Sequence, residues 1–263
     1  RLAEVERRLA QAPLPPVVFD EALRAHKVVV FDTARHPLRE AVGAVLQVPE
    51  QALDGLHRAY AELDGPPPLC PALLCALAMQ RKLPTGWGLL AGRRKEHIRQ
   101  FRRSGEFAEL ARVFRGFVEQ VVVPLVGEDV AFQTPPTLRC QLPSHRPLGH
   151  RHRDDEYEGH QAASINFWLP LTRVWGANTL WVESEPRAGD FAPVELEYGQ
   201  AFRFNGGQCE HHTVANTTDA TRVSLDWRVV PLSCWRDEFG GRIGSYPCEV
   251  TACFAAPAPR HGQ

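Results

Sequence analysis

Thr221-Arg222-Val223-Ser224-Leu225-Asp226-Trp227-Arg228-Val229-Val230 is the stretch on which the fold turns. From Arg222 to Arg228 polar and apolar residues alternate with period two, the pattern of a β-strand whose faces meet different surroundings. Val223, Leu225 and Trp227 share one face, and Arg222, Ser224, Asp226 and Arg228 share the other. Such a polar face ordinarily meets water in an antiparallel sheet. It can instead line a cavity. Outward from this stretch the signals are of the same kind. Thr137–Leu142, Ser164–Leu171, Thr179–Glu183, Ala201–Phe204 and His212–Ala215 are short runs of β formers punctuated by Pro, Gly and Asn. Strands at such close intervals predict a sandwich or a barrel.

Further upstream the period becomes helical. Residues 1 to 12 read as an amphipathic helix with Leu2, Val5 and Leu9 on one face, ended by Pro13, Pro15 and Pro16. Lys27-Val28-Val29-Val30-Phe31 is a short buried-strand signal. Residues 37 to 63 read as two helices broken at Pro49, and Gly65-Pro66-Pro67-Pro68 is a break. Residues 71 to 82 are mostly apolar and fit more than one structure. Arg93 to Ser104 fits a helix with Gly105 as its stop. Glu106 to Val123 fits another, with Phe107, Leu110, Val113, Phe114, Phe117 and Val121 at core-facing spacing. The expected organisation is one domain: a mainly helical part over 1–126, a β core over 127–232 and an irregular tail over 233–263. No linker separates the halves. The fold class that accommodates this order is mainly β (α+β), a jelly roll or cupin-like double-stranded β-helix, with the N-terminal helical region packed on one sheet.

Bulk properties narrow the partners. The chain has 263 residues, 44% hydrophobic and 23% charged, with a net charge of -1. That balance gives no field to attract nucleic acid or an anionic membrane, and neither partner is expected. No apolar run approaches the roughly 20 residues that span a bilayer. Arg1-Leu2-Ala3-Glu4-Val5-Glu6-Arg7-Arg8 is charged and helical in character, unlike a signal peptide. The seven cysteines are odd in number and form no CxxC pair, which fits reduced thiols and a cytoplasmic location. The oligomeric state has no signal.

The chemistry-bearing residues begin with His152-Arg153-Asp154. On an extended segment residues i and i+2 project to one side, so His152 and Asp154 can reach one metal together. His211 and His212 follow on another strand pattern, and His150 is a rival to His152 without the partner at the right spacing. Two imidazoles and a carboxylate with open positions are typical of Fe(II) oxygenases; Zn(II) uses the same ligand types. His145 and His160 suit a rim or the surface. Cys209 suits a small buried residue. Arg222 presents a rigid fork for bidentate carboxylate binding, and Ser224 adds a hydroxyl. Together they suit the distal carboxylate of 2-oxoglutarate.

At this point a family resemblance enters. The block from about 117 to 231 resembles the streptomycin-biosynthesis-type branch of the phytanoyl-CoA dioxygenase-like superfamily, Fe(II)/2-oxoglutarate oxygenases. It rests on Phe132-Gln133-Thr134-Pro135-Pro136-Thr137-Leu138-Arg139, the His152/Asp154 pair, Asn166-Phe167-Trp168-Leu169-Pro170-Leu171-Thr172, Asn178-Thr179-Leu180-Trp181-Val182-Glu183-Ser184, and His211 with Asn216 and Arg222-Val223-Ser224. In that family the distal His stands eleven residues before the Arg of an R-x-S motif, which selects His211 over His212. The resemblance implies a double-stranded β-helix and oxidation, often hydroxylation, of a small biosynthetic molecule with O2. It implies Fe(II) on His152, Asp154 and His211, and 2-oxoglutarate, converted to succinate, on Arg222 and Ser224, with ascorbate as an accessory reductant. Asn166 and Trp168 share a strand face and are candidates to touch the co-substrate. Arg139, Tyr157, Asn178, Trp181 and Glu183 are candidates for the substrate; Arg139 could equally pair with a structural acid. The carboxylate ligand argues against a halogenase. Two features depart from the pattern: His212 replaces the more usual Gly, and the first 115 residues show no family signal. The rival classes are a cupin-like Zn(II) or Mn(II) hydrolase or isomerase, which needs the triad but not Arg222 and Ser224, and a non-catalytic jelly-roll binding module.

Overall fold

The computed structural model describes residues 19–59, 70, 72–73, 94–237 and 240–254. The readings of 1–12, 65–68, most of 71–82 and 257–259 lie outside them. β9 (Arg222–Pro231) is the central strand. It pairs antiparallel with β2 (Val130–Gln133), β3 (Thr137–Gln141) and β4 (Ile165–Pro170). β4 then pairs with β7 (Gln200–Phe204), and β7 with β1 (Lys27–Val30) at the edge. A second sheet of three strands holds β5 (Leu180–Val182) between β6 (Ala192–Pro193) and β8 (His211–Thr213). Every pairing is antiparallel. The predicted strand runs all fall within a residue or two of observed strands, but β1 is not the buried strand expected of residues 27–31: at the sheet edge its Val28 and Val30 are exposed.

The two faces of β9 do separate as the alternation requires. Val223, Leu225, Trp227 and Val229 are buried in the main core with Leu110, Phe114 and Phe117. Trp227 stacks on Phe167 of β4 (ring centroids 5.4 Å apart) and meets Phe114 and Phe117 edge-on at 5.2 and 5.8 Å. Those phenylalanines belong to a helix, so helices cover this face. α1 (Leu38–Leu46), α2 (Arg94–Phe101) and α3 (Gly105–Phe117) are the helices concerned, and α1 packs against α3. Leu110, Val113, Phe114 and Phe117 recur at i, i+3, i+4 and i+7, which places all four on the buried stripe of α3.

Gly105 is not a stop. Ser104 caps α3 by accepting from the Phe107 amide at 3.2 Å, and Gly105 is the first helical residue. Gly is compatible with either end of a helix, so the local cap decides. On the opposite face of the sheet, Trp168, Phe202 and Phe204 pack with Leu180, Val182 and Cys209 of the smaller sheet and its loops. The sheets therefore face each other, with the polar side of β9 between them.

The tail differs from expectation. Residues 242–250 form a hairpin of β10 (Arg242–Ile243) and β11 (Tyr246–Val250), and β11 extends the main sheet beside β2. Pro247 and the short length hide the alternation in the sequence. The backbone beyond is tied down by Asp129, which accepts from the Thr251 hydroxyl and the Cys253 amide, both at 2.7 Å. Among the described residues no helix is long and apolar enough to cross a membrane.

Candidate metal centre and cavity

His152 and His211 lie opposite each other across an antiparallel bridge. Each amide donates to the other's carbonyl, at 3.2 and 3.0 Å. Asp154 follows on a 3-10 turn, and its amide donates to the Gly206 carbonyl at 2.9 Å. One ligand atom from each of His152, Asp154 and His211 falls within 4.8 Å of the others. Both imidazoles are set the same way. His152 Nδ1 donates to the His150 carbonyl at 2.8 Å and His211 Nδ1 to the Cys209 carbonyl at 3.2 Å, which leaves each Nε2 lone pair free. Burial lowers the His211 pKa to about 4, despite the opposing pull of Asp154, so the ring is neutral as a ligand must be.

Asp154 is buried, which by itself opposes ionisation. Its contacts with Arg228, then His211 and Asn166, override this and hold its carboxyl well below the usual carboxylate range. The rival ligands point elsewhere. His150 bonds the Tyr157 hydroxyl at 3.1 Å, and His212 packs against Phe191 and Trp181. Burial pushes the Cys209 thiol up to about 11, where it stays protonated.

Two cavities open on this triad and share Arg139, His152 and Arg228 as walls. The inner one reaches Asn166, Trp168, His211 and Arg222. Arg222 is fully buried. Its Nε, Nη1 and Nη2 find no hydrogen-bond partner among the described residues, and neither does the hydroxyl of buried Ser224. A buried cation without an anion is costly. Burial, reinforced by the nearby Arg139 charge, pulls the Arg222 pKa down to about 9. Its guanidinium carbon lies 5.8 Å from the Trp168 ring. This donor set fits a carboxylate. The outer cavity is bordered by Tyr157, His160, Ser245 and Tyr246.

The other candidates are distributed unevenly. Asn166 stands opposite Arg228 and donates to Asp154 Oδ2 at 2.6 Å. Arg139 borders both cavities and forms a two-point ion pair with Asp226. Asn178, Trp181 and Glu183 are not among the residues lining either cavity. Asn178 Oδ1 accepts from the Trp175 amide at 2.7 Å, and Trp181 Nε1 donates to the Gly176 carbonyl at 3.0 Å. Glu183 accepts from the amides of Glu210 and Gly189 at 2.7 and 2.9 Å, which fixes the chain just before His211. His145 is exposed, and His160 reaches the outer cavity. Sequence reasoning gave no role to Arg228 or to Gly206-Gly207. The period-two alternation had already put Arg228 on the polar face.

No family model matches the chain. It is 36% identical over 129 residues to the streptomycin biosynthesis protein StrG of Streptomyces griseus. That match covers 48% of this chain, which thus spans 59% of StrG. Among solved structures, the non-heme alpha ketoglutarate dependent carbocyclase SnoK from nogalamycin biosynthesis superposes with a TM-score of 0.47 at 12% identity, covering 92% of this chain and 98% of SnoK. The apo form of the non-heme monooxygenase ThoJ gives 0.42 at 17%, covering 85% of this chain and 77% of ThoJ. Both structural likenesses are loose.

Proposed function

We propose that this chain is an Fe(II)- and 2-oxoglutarate-dependent dioxygenase of the phytanoyl-CoA dioxygenase-like superfamily, built on a double-stranded β-helix, that hydroxylates a small molecule. The observation that carries the reading is Arg222: a buried, unpartnered guanidinium two residues from the unpartnered Ser224 hydroxyl, in the cavity lined by His152 and His211 of the His152–Asp154–His211 cluster. A metal that only activates water has no need of a buried cation at that place.

His152, Asp154 and His211 would hold the Fe(II), and Arg222 with Ser224 would hold the far carboxylate of 2-oxoglutarate. Bound there with O2, these groups supply the oxidation, and the co-substrate leaves as succinate and CO2. The protein's own part is placement. His152 and His211 present Nε2 because the backbone takes their Nδ1 protons. Trp168 flanks the guanidinium, and the two packed sheets wall the inner cavity. The substrate enters the outer cavity, beside Tyr157 and Arg139.

The test is succinate release coupled to substrate oxidation, in a screen of amino acids, small polar metabolites and natural-product intermediates under Fe(II) and ascorbate. Arg222→Ala is expected to raise the KM for 2-oxoglutarate at least about 100-fold, because charge-assisted hydrogen bonds are worth about 1.5–3 kcal/mol each. Wild-type coupling in Arg222→Ala would sink the assignment. Metal-dependent turnover without succinate would point to the cupin-like hydrolase or isomerase class.

A further inference from the structure

Arg228 is the best-placed side chain that the ligand assignments leave unused. Its Nε donates to Asp154 Oδ2 and its Nη2 to Asp154 Oδ1, both at 2.7 Å. Its Nη1 reaches Gln133 Oε1 at 3.3 Å, which steadies the fork from behind. Asn166 adds a second donor to Oδ2 at 2.6 Å. The two carboxylate oxygens are thus unequal. A carboxylate oxygen carries two lone-pair sites. Oδ2 has both engaged, whereas Oδ1 keeps one, and Oδ1 lies 3.8 Å from His152 Nε2.

We propose that Arg228 is a positioning residue that, with Asn166, locks Asp154 so that it offers a metal Oδ1 alone. The inference rests on the metal-centre reading above and deepens it. Its consequence follows from counting positions on a six-coordinate metal. Two imidazoles and one carboxylate oxygen take three positions, and a chelating 2-oxo acid takes two more, so one position stays open. An Asp that turned to bind through both oxygens would take that last position. The two-point grip of Arg228, closed by Asn166, prevents the turn. A guanidinium is suited to this because its planar fork matches a carboxylate at both oxygens, whereas a Lys ammonium makes a point contact.

Arg228→Lys keeps the charge and removes the fork. Co(II) added to the metal-free protein reports affinity by calorimetry and ligand number by its visible bands, with no turnover required. The expected result for Arg228→Lys is Co(II) binding weakened about 10- to 100-fold, the range seen when partners of metal ligands are lost. The bands should also change, and 2-oxoglutarate should bind the Co(II) form more weakly. Wild-type affinity and bands in Arg228→Lys would overturn the proposal. If that variant does not fold, Asn166→Ala removes only the second contact to Oδ2. It should shift both readouts in the same direction by a smaller factor, and no shift would equally overturn the proposal. Failure of the wild-type protein to bind Co(II) would instead strike the metal centre itself.

Discussion

His211 ties a titration to the stability of the metal-free protein. Its pKa is about 4 when folded, chiefly through burial, against an ordinary 6.5. Between those values the unfolded chain takes up a proton that the folded protein refuses. The stability contributed by the neutral ring is therefore full above pH 6.5 and is lost as the pH falls toward 4, by on the order of 3 kcal/mol. Urea unfolding of chelator-treated protein at pH 7 and at pH 4.5 should show the loss, and His211→Asn should flatten the difference. At this scale much was legible. The H-x-D spacing and the alternation around Arg222 are local facts that survive folding, and the family interval selected His211 over its neighbour. The bond from Arg228 to Asp154 was not legible, because it joins the side chains of a strand and a turn 74 residues apart. Glu183, a candidate for the substrate in the sequence, is instead buried with its carboxylate held by backbone amides.

At the level of elements, a turn as well as the strands shapes the site. The Asn205-Gly206-Gly207 segment runs so close to the triad that a Cβ on Gly206 would lie 2.5 Å from Asn166 Nδ2, and one on Gly207 would lie 2.8 Å from His160 Nε2. The same two residues accept the amides of Asp154 and Asp155. Gly206→Ala must push the Asn166 amide aside, and with it the bond to Asp154. A loss of about 1–3 kcal/mol in unfolding free energy is expected, as for overpacking elsewhere. Weaker Co(II) binding should accompany it; calorimetry together with urea unfolding checks both. Helices and longer strands were readable from their periods. The hairpin of β10 and β11 was not, since β10 has only two residues and Pro247 breaks the β signal of β11. Nor was the strand at Val130–Gln133, whose four residues are all buried and so show no alternation of polarity.

For the molecule as a whole, the main sheet divides two tasks between its faces. Phe117 and Phe114 press on Trp227 from the helical side, while Arg222, Asp226 and Arg228 face the cavities. Phe117→Ala should cost about 3–5 kcal/mol of stability, the usual range for a buried Phe. Co(II) affinity of the folded fraction should stay within about twofold of wild type, because the deletion lies behind the sheet. A matching denaturant midpoint in variant and wild type would show that the helices do not brace the strand. The layering was legible from the amphipathic stripe of α3 and the alternation of β9. The way in which the sheets meet was not, because long-range register has no local signature. That register also sets what can vary. Among the described strands the triad and Arg222 occupy β8, β9 and the loop before β4, whereas Ile243, Ser245 and Tyr246 reach the outer cavity from the hairpin at the free end of the sheet path. The turn between β10 and β11 can therefore change in length or side chains, and so reshape the rim of the outer cavity, without altering a strand that carries His211 or Arg222.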